Sequence, residues 1–490
     1  MIAAHLPALQ VVLPLISAPL MVLVRRGGIA YGLMLTVAWI SLLISLLLAQ
    51  QVAEFGPISY HIGNWPPPWG IEYRVDALSS FVLVLVSLAG AVVVPYSRRS
   101  VMSEVPQALH YLFYSMFALC LTGLLGITIT GDAFNIFVFL EISSLSTYVL
   151  IALGRDRRAL TAAYQYLIMG TIGATFIVIG VGLLYLMTGS LNLVDIAQRL
   201  PAVAEKRPVL AALAFLTVGI SLKLALFPLH LWLPNAYTYA PSSISAFLAA
   251  TATKVSVYVL IRFYYSVFGD SLVFRDLQIL LVLSIAAMIT ASLAAIYQNN
   301  LKRLFAYSSV AQIGYITLGL SLDSVGGLSA AIVHLFNHAL AKGALFMLIG
   351  GIMLRTGDVT LSHAAGLARR MPVTALGIVI AGLTLIGVPG TAGFVSKWAL
   401  ITASLEAGRW WLVPLIVASS LLAVAYVWRF VEAAYLREPP PESQEKNEAP
   451  WSMLVPAWLL VALSIYFGID TRFTLGGATR AAQMLLGVGG

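Results

Sequence analysis

The sequence predicts an all-α polytopic membrane protein with about fourteen transmembrane helices, at ~20 apolar residues per crossing. Three observations carry the prediction. Of 490 residues, 60% are hydrophobic and only 10% charged, where a soluble domain carries roughly 25% charged residues. Mean hydropathy is +0.93. Apolar runs recur almost from end to end, and the longest polar stretch is Arg437–Pro450. The net charge of +8 resides mostly in loops beside those runs, which points to membrane topology and away from nucleic acid.

Element by element, the spans are expected at roughly 5–24, 29–50, 76–97, 108–130, 132–153, 160–187, 208–228, 241–268, 273–297, 303–321, 327–354, 372–402, 410–435 and 451–468. Several exceed the length of a straight crossing, so tilting, kinking or interruption is expected. The first, LPALQVVLPLISAPLMVLV, is long and is followed by Arg25-Arg26; this fits a retained helix better than a cleaved signal. Loops after odd-numbered spans hold Arg25-Arg26, Arg98-Arg99, Arg155, Arg157-Arg158, Lys302-Arg303, Arg355, Arg369-Arg370, Arg437 and Lys446. The opposite loops hold the sparser set Arg74, Arg199, Lys206-Arg207, Arg275, Arg409, Arg472 and Arg480. By the positive-inside rule the first set is cytoplasmic. Both termini then face outward, on the periplasmic side of a bacterial or archaeal cytoplasmic membrane.

Two spans are expected to break. The seventh reads GISLKLALFPLHLWLP around Pro228, and the twelfth LIGVPGTAGFVSKWAL around Pro389. Proline removes a backbone donor and glycine loosens the helix, so each should unwind locally. Such a pair in corresponding halves is the usual sign of a transport pathway built from inverted repeats. The organisation expected is helices 1–3 over residues 1–100, a first five-helix repeat over 101–270, and a second over 271–436. An acidic loop, helix 14 and a C-terminal tail follow over 437–490.

Lone ionisable groups inside the apolar runs are the candidate functional residues: Glu141, Lys223, Lys254, Lys342 and Lys397. A charge at the bilayer centre costs from about 3 to above 10 kcal/mol, so its retention points to a use, above all proton or small-cation movement. Glu141 is expected to pair with Lys223; a static pair that fixes helix packing is the alternative. Every cation in this set is a lysine, which loses and regains a proton far more readily than arginine; snorkelling to the interface is the alternative, chiefly for Lys397. His334, His338 and Lys342 fall at i, i+4 and i+8 in IVHLFNHALAKGALF and share one helical face. That string suits a proton relay, with structural histidines as the alternative. No Cys, Asp or Glu beside them completes a metal site. Ser144, Tyr148, Ser256, Ser308 and Ser309 could hold bridging water but are common in helix interfaces. His230, after the Pro228 break, could open a route towards water. Asp76, Asp132 and the acidic segment Glu438–Glu448 lie near span ends and read as solvated surface. Cys120, the single cysteine, reads as a small buried hydrophobe. No cofactor, flavin, nucleotide or Fe–S motif is present.

At these residues the chain resembles the antiporter-like proton-translocating subunits shared by respiratory complex I, membrane-bound hydrogenases and Mrp cation/proton antiporters. The resemblance covers about 75–470 and rests on GDAFNIFVFLEISSLSTYVLIALG, KLALFPLHLWLPNAYTYAPSSISAFLAATATKVSVYVLIRF, NLKRLFAYSSVAQIGYI, HLFNHALAKGALF and GVPGTAGFVSKWALI. FPLHLWLP, TKVSVYVLIRF and a lysine in the twelfth helix are most similar to the D-type branch of the Mrp antiporters. The resemblance implies fourteen helices with two inverted five-helix repeats. It also implies roles: Glu141 as the essential acid of the fifth helix, Lys223 as its partner, and Lys254 as the central relay. His334, His338 and Lys342 would link the half-channels, and Lys397 would be the terminal residue. Asn235 departs from the aspartate that many relatives carry. The implied function is a proton-translocating subunit of a multisubunit Na+ or K+/H+ antiporter, with the proton-pumping arm of a complex I-like quinone oxidoreductase or hydrogenase as the alternative. Implied partners are other membrane subunits, the lipid bilayer, H+ and Na+ or K+.

Overall fold

A computed structural model describes residues 2–269, 277–439 and 447–488. Arg275, Lys446 and most of the acidic segment expected as solvated lie outside the described residues. The chain opens with two helices, Leu6–Val24 and Gly27–Phe55, joined by Gln10 Nε2 donating to Ser45 Oγ at 2.8 Å. Their outward faces stay apolar and exposed, as a lipid-facing surface must. A short antiparallel hairpin follows, Ile58–His61 against Glu72–Val75, with Ser59 opposite Arg74. Three spans then run unbroken: Ala77–Glu104, His110–Ile129 and Ala133–Ala152. The first starts on a capping box, with Asp76 and Ser79 satisfying each other's backbone donors. The sixth is Arg158–Thr188.

The seventh span is divided as expected. It runs Arg207–Leu224, stops at Ala225 in the left-handed region (φ 61°), and resumes as Trp232–Tyr239. The eighth runs Ser242–Ala250, breaks at Thr251, continues Ala252–Ile261 and ends as a π-helix, Arg262–Phe268. Helices Gln278–Ile296, Leu301–Ser321 and Val325–Thr356 follow. The twelfth is split into Pro372–Ile386 and Ala392–Glu406, with Pro389 in the gap. Leu412–Val431 and Trp451–Ile469 complete the spans. Among the described residues, twelve helices are long and apolar enough to cross a membrane. The other two expected spans are the less apolar Leu301–Ser321 and the divided twelfth. A final helix, Arg472–Leu485, packs across the third and eleventh spans with Phe473 over Phe81.

The two five-helix repeats carry matching backbone clasps. In the first, Ala133 N donates to Leu191 O (2.8 Å) and Leu193 N to Gly131 O (2.9 Å). In the second, Leu301 N donates to Val359 O (2.8 Å) and Leu361 N to Asn299 O (2.8 Å). Each clasp ties the entry to a repeat's second helix to the exit from its third, and one-crossing-per-helix alternation puts them on opposite faces. The basic loops segregate accordingly. Arg155 N donates to Glu104 O, Arg158 lies over Tyr239, and Lys302 Nζ donates to Ala240 O. On the other face, Glu72 O accepts Gly131 N and Glu72 Oε2 accepts Asn192 Nδ2.

Several boundary residues differ from their expected solvated state. Asp76 is buried against Arg262 at 2.5 Å. Lys302 is buried on the Ala240 carbonyl that the eighth helix's start leaves free. Asp132 is half-buried and caps the fifth helix through Asn135 N; burial raises its carboxyl above the usual range. Glu448 caps the twelfth span's first half, accepting from Val373 N at 2.8 Å and Thr374 Oγ1. Helix starts expose orphan N–H groups, and a carboxylate is a good cap for them. That need outweighs solvation for all three acids.

Candidate functional site

The broken helices create the site. At the seventh span's break, Leu222 O accepts from Trp232 Nε1 (2.9 Å) and Ser221 O from Leu226 N (3.0 Å). Lys223 sits in that last turn, where the negative end of the helix favours an ammonium. Its Nζ lies 3.2 Å from Glu141 Oε1 and 2.7 Å from Ser144 Oγ, both on the fifth span. The Lys223 side chain is 3% exposed and that of Glu141 22%. Next to Lys223 lies a cavity of about 20 Å³, reaching Ser144, Thr147 and Ser256. One water occupies roughly 10–15 Å³ on such a measure, so the cavity has room for one.

Beyond it, the eighth helix breaks at Thr251 (φ −125°, ψ −58°). The break frees Ala249 O, which accepts from Lys254 Nζ at 2.5 Å. His338 comes next, on the eleventh span. Both of its ring nitrogens are buried with no hydrogen-bond partner among the described residues. Lys254, Lys342 and His334 are its charged or titratable neighbours. His334 lies 6.2 Å away, ring to ring, and is held at both nitrogens: Nδ1 by Ser396 Oγ (2.8 Å), Nε2 by Gln312 Oε1 (2.9 Å). Lys342 donates to Phe305 O (2.7 Å) and Ser308 Oγ on the tenth span.

Lys397 bridges the two halves of the twelfth span. From the second half it donates to Leu385 O (2.9 Å) and Ile386 O (3.0 Å), the last carbonyls of the first half. It also meets Ser420 Oγ (3.0 Å) and lies 4.4 Å above the Tyr315 ring, a cation–π contact. Gly387 makes this approach possible: its φ is +89°, and a Cβ there would sit 2.8 Å from Lys397 Cδ.

Every buried lysine of the row is thus held by carbonyls or hydroxyls, most of them at a helix interruption, and only Lys223 has a carboxylate. Ser144 and Ser308 are direct partners of lysines, and Ser256 lines the cavity. Gln312, Ser396, Tyr315 and Ser420 belong to the site without standing out in the sequence. The one signal for Gln312 is its amide within the apolar VAQIGYI. His230 is buried, stacked on Phe227 at 5.4 Å, with Nδ1 unpartnered among the described residues; it is not in contact with the row. Arg262 adds an arginine to what reads in the sequence as an all-lysine set of membrane cations.

Residues 130–423 match the family model described as "NADH:quinone oxidoreductase/Mrp antiporter, TM". The chain is 43% identical to the NADH-quinone oxidoreductase subunit N of Desulforudis audaxviator, covering 93% of this chain and 94% of that protein. It is 29% identical to the D subunit of the Na(+)/H(+) antiporter of Bacillus subtilis, covering 98% and 96%. In three dimensions it is similar to a chain of the Mrp complex from Dietzia sp. DQ12-45-1b, with a TM-score of 0.91 at 26% identity, covering 99% and 98%.

Proposed function

Because this chain belongs to the NADH:quinone oxidoreductase/Mrp antiporter transmembrane family, we propose that it is the proton-translocating subunit of a multisubunit Na+ or K+/H+ antiporter. The observation that carries this reading is the row Glu141, Lys223, Lys254, His338, His334, Lys397, with each buried lysine seated on a helix interruption. Lys342 flanks the row. Carbonyls and hydroxyls hold an ammonium without fixing its charge, so these lysines can be neutral or protonated in turn. His338 has both nitrogens free of protein partners among the described residues and can accept from one side and donate to the other. When Lys223 leaves Glu141, the local positive charge rises and drives the proton on Lys254 towards His338.

The basic loops face the cytoplasm in this reading and both termini face outward. His230, buried beside the seventh-span break, is the proposed approach from that face. The partners are further membrane subunits of the same complex. The test is to purify the native complex, identify its subunits, and measure cation-dependent proton flux in vesicles. Small antiporter subunits with Na+- or K+-driven flux support the reading. Flux unchanged on replacing Glu141 or Lys223 by alanine in an assembled complex defeats it.

A second reading, the proton-pumping arm of a redox complex, is favoured by the 43% identity to the subunit N relative. Copurifying redox subunits would select it. The row would then do the same proton transfer, driven by electron transfer in partner chains.

A further inference from the structure

Outside the row, the eighth helix carries Tyr258, Arg262 and Ser266 at four-residue steps beyond Lys254. They lie along one strip of the helix, and from Arg262 onward the helix is π-helical, a form found mostly at functional sites. Tyr258 OH donates to Thr128 O (2.9 Å) and accepts from Arg262 Nε (2.9 Å). Arg262 continues to Asp76 Oδ1 (2.5 Å), Ser79 Oγ (3.0 Å) and Ser266 Oγ (3.4 Å). Asp76 and Arg262 are 4% and 7% exposed. Every contact Asp76 makes from its side chain among the described residues is through Oδ1.

This strip ends in a cavity of about 250 Å³, room for several waters. Arg74, Asp76, Tyr258, Arg262 and Ser266 give it polar walls, while Val194 and Leu485 sit at its apolar side. It lies on the face of the hairpin and the Gly131–Leu193 clasp, opposite the dense basic loops. A buried arginine alone would repel an approaching proton, whereas its pairing with Asp76 leaves the passage without net charge.

We propose that this cavity is a proton port of the first repeat, serving Lys254 through Tyr258 and gated by the Asp76–Arg262 pair. A proton leaves Lys254 as its ammonium becomes the neutral amine, and water in the cavity takes it up. Lys254 regains a proton from the Lys223 side. The proposal rests on the proton-translocating reading above.

The test is cysteine labelling of the assembled complex in vesicles, in a Cys120→Ser background that leaves no other cysteine in this chain. Val194→Cys is treated with a membrane-impermeant thiosulfonate from the hairpin face, and proton flux is read before labelling, after it, and after reduction. Labelling should lower flux about tenfold or more, and reduction should restore it. Failure of Val194→Cys to react, or reaction without loss of flux, overturns the port. If Val194→Cys does not assemble, Leu485→Cys at the same cavity carries the same test. A parallel Glu141→Gln complex separates the two claims. If Glu141→Gln is silent while labelled protein conducts, only the port falls. If Glu141→Gln conducts at the wild-type rate, the underlying reading falls.

Discussion

Neutralising Glu141 is the most revealing single change. At 3.2 Å and an effective dielectric of about 20, two unit charges attract by about 5 kcal/mol. Glu141→Gln removes that attraction and leaves the Lys223 ammonium, 3% exposed, with Ser144 Oγ as its remaining partner at 2.7 Å. Breaking one side of a buried pair costs about 3–5 kcal/mol. At about 1.4 kcal/mol per tenfold, a transfer step that needs a protonated Lys223 slows at least a hundredfold. The assay is proton uptake into vesicles, read by a pH-sensitive dye, with complex assembly checked by native electrophoresis. The double variant Glu141→Gln with Lys223→Met removes the stranded charge. It should recover stability but not flux, because no titratable group remains at the start of the row. Wild-type flux in an assembled Glu141→Gln complex would refute the reasoning, and so would recovered flux in the double variant.

The two histidines should separate by stability. His338→Phe removes a side chain with no hydrogen-bond partner among the described residues, so thermal stability should hold while flux falls. His334→Ala strands Gln312 Oε1 and Ser396 Oγ and should cost about 1–3 kcal/mol as well; a melting curve tells them apart. Gly387→Ala forces a side chain into φ +89° and against Lys397, so it should destabilise by at least about 1 kcal/mol and lower flux. Thermal unfolding and vesicle flux, measured together, check it. Glu448→Gln weakens the cap on Val373 N and Thr374 and should cost about 0.5–2 kcal/mol with flux little changed.

The lone charges are legible in the sequence because membrane burial makes each one conspicuous. Glu141 and Lys223 read as partners there, and in the fold they meet. The breaks at Pro228 and Pro389 are legible for a similar reason, since proline and glycine punctuate apolar runs. What stays hidden is whatever looks ordinary in one dimension. Gln312, Ser396 and Ser420 are small or neutral polar residues of a kind common in helix interfaces. Their role appears only when three separate helices converge on His334 and Lys397. The interruption of the eighth helix at Thr251 carries no proline or glycine, so nothing local announces it. Asp76 and Arg262 are far apart in sequence and each lies at a span end, where a charge normally meets water; the fold joins them. The hairpin Ile58–His61/Glu72–Val75 and the helix Arg472–Leu485 leave no apolar signal, because neither has the length or apolarity of a crossing.

The central claim is that Lys254 passes a proton, and Lys254→Arg tests it most directly. Arginine keeps the charge and can still donate to the Ala249 carbonyl that holds Lys254 at 2.5 Å, but it does not release a proton at any working pH. The measurement is cation-gradient-driven proton flux through the purified complex in proteoliposomes, with assembly verified. The account predicts an assembled complex with flux lost. Flux at the wild-type rate through Lys254→Arg would contradict it.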